Sequence, residues 1–283
     1  MKTIKIGGVP EHFNLPWHLC LEKGKFKEKD LNVTWKDIPE GTGAMCKALR
    51  DGELDAAVIL TEGIIRDIAL GNESKIIQTY IASPLIWGIH VDAATHYKNL
   101  QELKGTKAAI SRKGSGSHLM SYVNAQNQGW NTKNLKFEIV DTLDGAIKAL
   151  KADEAQYFMW EHFTTKPLVD DKTFRLIADC PTPWPCFVIA ARNESIKNEA
   201  PRLKAMLEVL NEETLNFKSQ PGIDVVLAER YSQKIEDIRQ WLELTHWSQH
   251  QIEEDDLNSV MEKLVELGLI DEKLPVKQLY HNL

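Results

Sequence analysis

Short apolar runs alternate with helical patterns over the first two-thirds of the chain. Alternating apolar positions indicate strands, and apolar positions three or four residues apart indicate helices. The predicted strands are 3–8, 31–38, 56–60, 75–81, 107–111, 136–140, 157–160 and 188–191. The predicted helices between them are 15–23, 44–49, 63–70, 117–126 and 144–150. From about Glu199 to the end the pattern is helical, with no convincing strand. This order predicts βαβ units and a largely parallel sheet.

Two segments of the chain follow the same pattern. Residues 47–58 and 148–159 each consist of a helical stretch, an acidic turn and a short apolar strand. Together with the restart of the strand pattern at Lys107, this match predicts two similar α/β lobes. Ligands of parallel α/β sheets bind beyond the carboxyl ends of the strands, where helices begin. We therefore expect a ligand to bind at the loops that follow the strands.

Composition and charge narrow the class of protein. The chain has 283 residues, 43% hydrophobic and 27% charged, with a formal net charge of −7. These values are ordinary for a globular protein, and the acidic balance argues against nucleic acid or an anionic membrane as partner. No apolar run approaches the roughly 18 residues of a membrane span, so no membrane insertion is expected.

The start of the chain bears on its compartment. Met1-Lys2-Thr3-Ile4 leads directly into strand-like alternation, without the basic and apolar regions of a secretory leader. We therefore expect a cytoplasmic protein. The alternative is a periplasmic or lipid-anchored protein from which a leader has been removed.

The four cysteines do not have the spacing of a metal site. Cys20, Cys46, Cys180 and Cys186 form no C-x-x-C pair, and no histidine lies at zinc-finger distance. We expect four reduced, mostly buried thiols and no metal. A disulfide between Cys180 and Cys186 is the alternative, although three prolines stiffen the loop between them.

The loops that follow the predicted strands supply the candidate ligand-binding residues. Several of these loops are rich in Gly, Ser and Thr, so that backbone N–H groups and hydroxyls can converge on a ligand. For any single Ser or Thr, capping of the following helix is the alternative role. The candidates are Pro10, Glu11, His12, Phe13, Thr42, Gly43, Thr61, Glu62, Ser111, Arg112, Ser115, Gly116, Ser117, His118, Trp160, Glu161, Thr164 and Trp184.

The side chains in these loops favour a particular kind of ligand. Trp160 and Trp184 are candidates for stacking on a flat ligand, and Glu11, Glu62 and Glu161 add carboxylates. Carboxylates beside aromatic walls suit a heteroaromatic or amine-bearing ligand better than a simple anion. The loop that starts at Arg112 lacks both nucleotide-binding glycine spacings and is either an anion clamp or a solvated basic turn.

The sequence contains no strong catalytic motif. It has no G-x-S-x-G elbow, no H-E-x-x-H and no cysteine with an obvious histidine partner. We therefore assign no catalytic residue. If the protein is an enzyme, Glu62, Glu161 and His118 are the candidate acids or bases.

The order of several motifs resembles the type II periplasmic binding proteins. The resemblance covers nearly the whole chain. Within this family, the sequence is most similar to the branch that binds alkanesulfonates, taurine, nitrate and thiamine-pyrimidine precursors. Trp160-Glu161-His162-Phe163-Thr164 and the segment around Pro183-Trp184-Pro185 further resemble a small group of leaderless homologues of fungi and bacteria. The other segments that carry the resemblance are 6–10, 22–33, 49–57, 103–117 and 202–267.

This resemblance implies an α/β fold of two lobes that close on a small ligand, with mixed, mostly parallel sheets and C-terminal helices. Lobe I would be 1–86 plus 187–283 and lobe II 87–186, with crossovers in 87–90 and 187–190. The implied function is a non-catalytic solute-binding protein for a small, nitrogen-containing aromatic ligand similar to the thiamine pyrimidine. No cofactor is implied, because 57–63 offers no lysine for the pyridoxal phosphate of the fungal precursor synthase.

Two alternatives to this function stay open. One is a cytoplasmic enzyme of the lyase or precursor-synthase type on the same fold. The other is the substrate-binding component of an ABC transporter, for which a transporter permease would be a partner only if the protein is exported.

Overall fold

The chain folds as two units, one of which is inserted into the other. The computed structural model describes residues 3–283. One unit comprises Met1–Ser83 and Trp184–Leu283, and the second comprises Pro84–Pro183. We call them unit 1 and unit 2. The chain passes between them twice, once after Ser83 and once after Pro183.

Ten strands and eleven helices make up the two units in the described chain. The strands are β1 Ile4–Gly8, β2 Val33–Asp37, β3 Ala56–Leu60, β4 Ser74–Ile81, β5 Ile86–Asp92, β6 Lys107–Ile110, β7 Lys136–Ile139, β8 Tyr157–Glu161, β9 Phe174–Pro181 and β10 Phe187–Arg192. The helices are α1 Leu15–Glu22, α2 Lys25–Glu28, α3 Thr42–Arg50, α4 Thr61–Ala69, α5 Gly116–Asn127, α6 Leu143–Lys151, α7 His162–Asp170, α8 Asn193–Asn216, α9 Ile223–Arg230, α10 Ile235–Leu244 and α11 Glu254–Glu266.

Unit 1 is built on a five-stranded sheet in the order β2-β1-β3-β10-β4. β1 pairs in parallel with β2 and β3, whereas β10 lies antiparallel between β3 and β4. β3 and β10 are apolar along almost their whole length and buried on both faces, as expected for central strands covered by helices.

Unit 2 repeats this sheet with strands of its own. The order is β7-β6-β8-β5-β9, in which β6 pairs in parallel with β7 and β8. β5 lies antiparallel between β8 and β9. In each unit, the antiparallel strand is the first one formed after the chain crosses over from the other unit.

The two units also repeat each other in their local hydrogen bonds. At the end of α3, the carbonyl of Ala48 accepts hydrogen bonds from the amides of residues 53 and 54. At the end of α6, the carbonyl of Ala149 accepts hydrogen bonds from the amides of residues 154 and 155 in the same way. Gly52 and Asp153 occupy equivalent left-handed turn positions, with φ of 73° and 57°. The similarity that the sequence predicts between 47–58 and 148–159 is thus present in the backbone.

The structure confirms the predicted α/β class with mixed sheets and C-terminal helices, and it adds elements that the pattern did not predict. β9 was not predicted as a strand. The segments 87–90 and 187–190, expected to connect the lobes, lie within β5 and β10. The chain changes unit three residues earlier than expected in each case, because these two strands already belong to the sheets that they enter.

The C-terminal part of the chain covers the outer edge of β4. Backbone amides of Thr79 and Ala82 donate to the carbonyls of His250 and His246, and the amide of Ile76 donates to Leu279. The amides of residues 248 and 281 return hydrogen bonds to β4. An exposed edge strand would offer its unpaired backbone groups to other chains, and this cover removes that surface.

Three further observations concern thiols, metals and membranes. All four cysteines are free and buried, as expected for reduced thiols. Within the described chain, no three His, Cys, Asp or Glu side chains are grouped so that they could hold a metal ion. None of the helices found in residues 3–283 combines the length and apolarity needed to cross a bilayer.

A buried carboxylate joins the first helices of unit 1 to the long helix α8. Glu213 on α8 is only 2% exposed and accepts hydrogen bonds from Gln220 and from Lys23, at 2.7 and 3.5 Å. Lys25 lies 2.7 Å from its other oxygen. Burial works against ionisation of Glu213, but the hydrogen bonds and charges of these lysines outweigh it and lower its pKa.

We expect Glu213→Gln to lower the free energy of unfolding by about 1–2 kcal/mol near neutral pH, because the amide loses the charge-assisted bonds. The effect should shrink as the pH falls through the lowered pKa of Glu213, since the native carboxylate is then protonated in the wild type. Urea unfolding at several pH values measures this. Glu212→Gln, an exposed neighbour, is the matched control, and equal effects of the two substitutions would refute the role of the buried carboxylate.

Candidate functional site

In unit 1, the candidate residues lie at one edge of the sheet. β1, β2 and β3 run in parallel and end at Gly8, Asp37 and Leu60, so the loops that follow them begin at the same edge. Pro10, Glu11, His12 and Phe13 follow β1, Thr42 and Gly43 follow β2, and Thr61 and Glu62 follow β3. This is the edge where ligands of parallel α/β sheets bind.

Glu62 is a buried carboxyl group held by a distant tryptophan. The indole Nε1 of Trp184 donates to its Oε2 at 2.9 Å, across 122 positions of the chain. Its second oxygen, Oε1, is buried without a hydrogen-bond partner in the described part of the chain. Burial raises the pKa of Glu62 to about 7, and the bonds from Trp184 and from its own backbone oppose this only in part.

Thr61 and Thr42 both lie at the start of α4, although Thr42 belongs to α3. The hydroxyl of Thr61 donates to the carbonyl of Pro185 at 2.5 Å, and its amide donates to the carbonyl of Cys186 at 3.1 Å. A Cβ on Gly63 would lie 2.2 Å from the methyl carbon of Thr42, so glycine is needed for this close packing. Neither threonine caps its helix, because both lie inside the first turn.

The loop after β1 lies in an aromatic environment. His12 is buried, with its ring centroid 4.2 Å from that of Trp241 and 4.9 Å from that of Phe13. Burial lowers the pKa of His12 to about 3, so its ring is neutral at physiological pH. The carbonyl of Phe13 accepts a 2.7 Å hydrogen bond from the Tyr80 hydroxyl, which fixes this loop against β4. Pro10 is exposed and Glu11 half-buried.

In unit 2, the serine-rich loop after β6 is closed by its own side chains. The hydroxyl of Ser117 accepts the amide of Ser111 at 3.0 Å and lies 3.0 Å from the hydroxyl of Ser115. Ser115 is the N-cap of α5 and accepts the amide of His118. The Nδ1 of His118 in turn accepts the amide of Gly114 at 3.0 Å. This places Ser111, Ser115, Ser117 and His118 in one network, with Arg112 and Gly116 in the same loop.

Glu161 and Thr164 hold the start of α7. The Oε2 of Glu161 accepts the amide and the hydroxyl of Thr164 at 2.6 and 2.7 Å, and its Oε1 accepts the amide of Phe163 at 3.1 Å. Burial raises the pKa of Glu161, although these hydrogen bonds act in the opposite direction. The carboxyl group therefore acts as a helix cap in this structure, and a contact with a ligand stays a prediction.

Trp160 packs within unit 2. Its ring stacks on Phe158 with centroids 5.4 Å apart and meets Trp87 edge-on at 6.5 Å. It lies against the apolar cluster formed by Ala109, Ala146, Leu150, Ala155, Phe158 and Phe174. Trp160 thus packs against the core of unit 2, whereas stacking on a ligand stays a prediction.

Sequence reasoning missed the histidine that has a carboxylate partner. His162, the first residue of α7, has its Nδ1 2.8 Å from Oδ1 of Asp179 on β9. The neighbouring Glu161 is not its partner, because the carboxylate oxygens of Glu161 accept hydrogen bonds from the start of α7. Since β9 was not predicted, nothing in the sequence placed Asp179 beside His162.

Comparison with known proteins shows which of them share this fold. The product of the Candida albicans CA3427 gene, described as defining a family with the generic periplasmic-binding-protein fold, is 25% identical. The alignment covers 98% of this chain and 94% of that one, with a TM-score of 0.89. The chain has the periplasmic-binding-protein fold. The family described as Ca3427-like PBP matches residues 87–180, about a third of the chain and almost the whole of unit 2.

Two bacterial binding proteins share this fold at lower identity. The alkanesulfonate-binding protein SsuA of Xanthomonas axonopodis, bound to MOPS, is 14% identical over 98% of both chains, with a TM-score of 0.82. A putative sulfonate ABC transporter protein, the periplasmic sulfonate-binding SsuA of Methylobacillus flagellatus, is 15% identical over 100% of this chain and 92% of that one, with a TM-score of 0.74. No curated protein matches the chain in sequence.

These findings confirm the resemblance to type II periplasmic-binding-protein-like proteins and to their fungal homologues. At such identities the bacterial proteins establish the fold of this chain and not its ligand.

The buried carboxyl of Glu62 should give the unfolding free energy a pH dependence. In the unfolded chain Glu62 has its ordinary pKa of 4.5, whereas in the native state its pKa is about 7. The native state thus binds more protons between these values, and its stability falls as the pH rises through them, by about 3 kcal/mol. Glu62→Gln removes this contribution, so the difference between variant and wild type should grow in favour of the variant from pH 5 to pH 8.

Urea unfolding of both proteins at several pH values measures this difference. The exposed Glu73→Gln in the same unit is the control and should show a pH-independent difference. A pH-independent difference for Glu62→Gln as well would show that the buried carboxyl ionises normally.

Trp160→Ala should lower the free energy of unfolding by about 2 kcal/mol, because it removes a partly buried indole from the core of unit 2. Thermal or urea unfolding measures this loss. Ile139→Ala, at an exposed apolar position of the same unit, is the control and should change stability by less than about 0.5 kcal/mol. An unchanged stability with a weakened affinity for ligand would instead make Trp160 a binding residue.

Proposed function

We propose that this chain is a binding protein for a small, nitrogen-containing aromatic molecule similar to the pyrimidine of thiamine. The observation that carries the proposal is the buried carboxyl of Glu62, with Oε1 unpartnered in the described chain and Oε2 held by Trp184. Its position at the carboxyl edge of three parallel strands supports a role in ligand binding.

An unpartnered, buried carboxyl oxygen favours a ligand that donates a hydrogen bond. A buried polar atom without a partner costs about 1–3 kcal/mol, and a ligand N–H donated to Oε1 would recover this. With a pKa of about 7, Glu62 also accepts a proton readily. A ligand with an amino group beside a basic ring nitrogen can therefore pair with Glu62, whether Glu62 is a neutral acid or a carboxylate.

Two neighbours of Glu62 in unit 1 support its role in binding. Trp184 fixes the orientation of the carboxyl, and Thr42 packs at the start of α4. Pro10 and Glu11 belong to the neighbouring loop at the same edge. Unit 2, taken by itself, has candidate residues that carry hydroxyls, a guanidinium and backbone amides, which are groups that bind polar molecules. They are Ser111, Arg112, Ser115, Gly116, Ser117 and His118.

Delivery of the ligand to a transporter permease is a second proposal. It is supported by the likeness to SsuA of Methylobacillus flagellatus, which is described as part of a putative sulfonate ABC transporter. An organic sulfonate would then be the ligand, and the amides and Arg112 of the loop after β6 would be the groups that bind it.

Calorimetric titration can separate the two ligand classes. We expect 4-amino-5-hydroxymethyl-2-methylpyrimidine to bind and MOPS not to bind. Glu62→Gln should then weaken pyrimidine binding about 5- to 100-fold, because the amide loses the charge-assisted bond. Binding of MOPS alone would support the sulfonate proposal and overturn the pyrimidine one.

The control variant is Glu73→Gln, which alters an exposed carboxyl of unit 1 and should bind like the wild type. Native mass spectrometry of the purified protein would show independently whether a small molecule is already bound. An affinity for the pyrimidine that Glu62→Gln leaves unchanged would contradict the role assigned to this carboxyl.

A further inference from the structure

We propose that His162 and Asp179 of unit 2 form an acid–base pair, in which His162 removes a proton from a bound small molecule and Asp179 sets its tautomer. This proton transfer is an activity of unit 2 beyond the proposed binding function. It concerns a molecule bound at unit 2 and does not rest on the binding role proposed for Glu62 in unit 1.

The geometry assigns different tasks to the two ring nitrogens of His162. Nδ1 lies 2.8 Å from Oδ1 of Asp179, a distance that requires a hydrogen bond from Nδ1–H to the carboxylate. The proton of the neutral ring is therefore on Nδ1, and Nε2 carries the lone pair that can accept a proton. Asp179 then stabilises the imidazolium that forms, which is the task of the carboxylate in a Ser-His-Asp triad.

The place of His162 in the sheet is that of a ligand-binding residue. It follows directly after β8, at the carboxyl edge where the loop after the parallel strand β6 also begins. Its side chain is 14% exposed, so the ring is partly enclosed and still reachable. Asp179 reaches it from β9, on the far side of β5.

Comparison of the units shows that this pair is specific to unit 2. The residues before α4 and α7, Leu60 and Glu161, have the same backbone angles, with φ of −57° and ψ of 132° and 129°. His162 therefore corresponds to Thr61. Thr61 binds the carbonyl of Pro185 and so has a structural partner, whereas His162 has an ionisable one.

The charged groups around His162 favour a base over an anion-binding cation. Asp179 and Glu161 carry the negative charges that face it, and Lys166 and the buried His90 complete its surroundings. The hydrogen bond that His162 donates to Asp179 is the largest effect and raises the pKa of His162, while burial and Lys166 act against it. Lys166 is paired with Asp170, which reduces its influence.

The proton step needs no other reactant. The ligand's N–H, O–H or activated C–H bond breaks, its electron pair stays on the ligand, and the proton forms a bond to Nε2. The imidazolium can return the proton to another atom of the ligand, which gives an isomerisation, or exchange it with solvent. Such a residue contributes most when its pKa lies near the working pH.

This proposal can be tested on the whole chain without knowledge of its ligand. Diethyl pyrocarbonate acylates neutral imidazole, and peptide mapping gives a rate constant for each histidine as a function of pH. For His162 we expect a rate that rises with pH to a plateau. In Asp179→Asn the plateau should fall about threefold or more and the midpoint should move to lower pH, because the ring is less basic without the carboxylate.

The exposed His96 in the same samples is the internal control, and Asp144→Asn, at an exposed carboxylate of unit 2, is the matched variant. Neither should change the profile of His162, and circular dichroism confirms that the variants are folded. A His162 that does not react while His96 does, or a profile that Asp179→Asn leaves unchanged, would overturn the acid–base pair. Either result would leave the binding role of Glu62 in unit 1 standing, since it is measured separately.

Discussion

Backbone pairing of one antiparallel strand in each sheet determines how the rest of this chain is arranged. β10 fills the position between β3 and β4, and β5 fills the position between β8 and β9. Without β10, β3 and β4 would each have unpaired backbone groups on the side where β10 now lies, and without β5 the same would hold for β8 and β9. Buried unpaired amides are among the costliest defects in a protein. Unit 1 therefore requires residues from both sides of the insertion.

The same pairing accounts for the position of the candidate carboxyl in unit 1. β10 is preceded by Trp184, Pro185 and Cys186, which lie beside the start of α4 because β10 pairs with β3. Trp184 then orients Glu62, and Pro185 and Cys186 bind Thr61. A buried ionisable group with a fixed orientation is a common feature of functional sites, and here the orientation follows from the sheet.

Much of the fold follows from local patterns, because apolar periodicity reports which face of a strand or helix is buried. β3 coincides with its predicted bounds, and most other elements differ by one or two residues. β9 was missed because its pattern is interrupted by Arg175 and Asp179, whose side chains have partners that the sequence does not show. The predicted similarity of the two lobes extends to individual backbone hydrogen bonds at the ends of α3 and α6.

The candidate site was predictable only as a set of loops. Their position at the ends of parallel strands follows from the order of elements, so Glu62, Ser115 and Glu161 could be selected from the sequence. Which of them caps a helix and which keeps an unpartnered oxygen depends on contacts with distant residues. The bond from Trp184 to Glu62 spans 122 positions, and the partner of His162 lies on a strand that was not predicted.

The insertion of unit 2 has a consequence for the order in which the protein can fold during synthesis. When residue 183 has left the ribosome, every strand of the second sheet has been made, and that sheet can close. The first sheet still lacks β10, and the segments around 246–250 and 279–281 that cover β4 come later again. The amino-terminal strands are translated first and yet are completed last, so the nascent chain carries an open apolar sheet for most of its synthesis, a state that chaperones recognise.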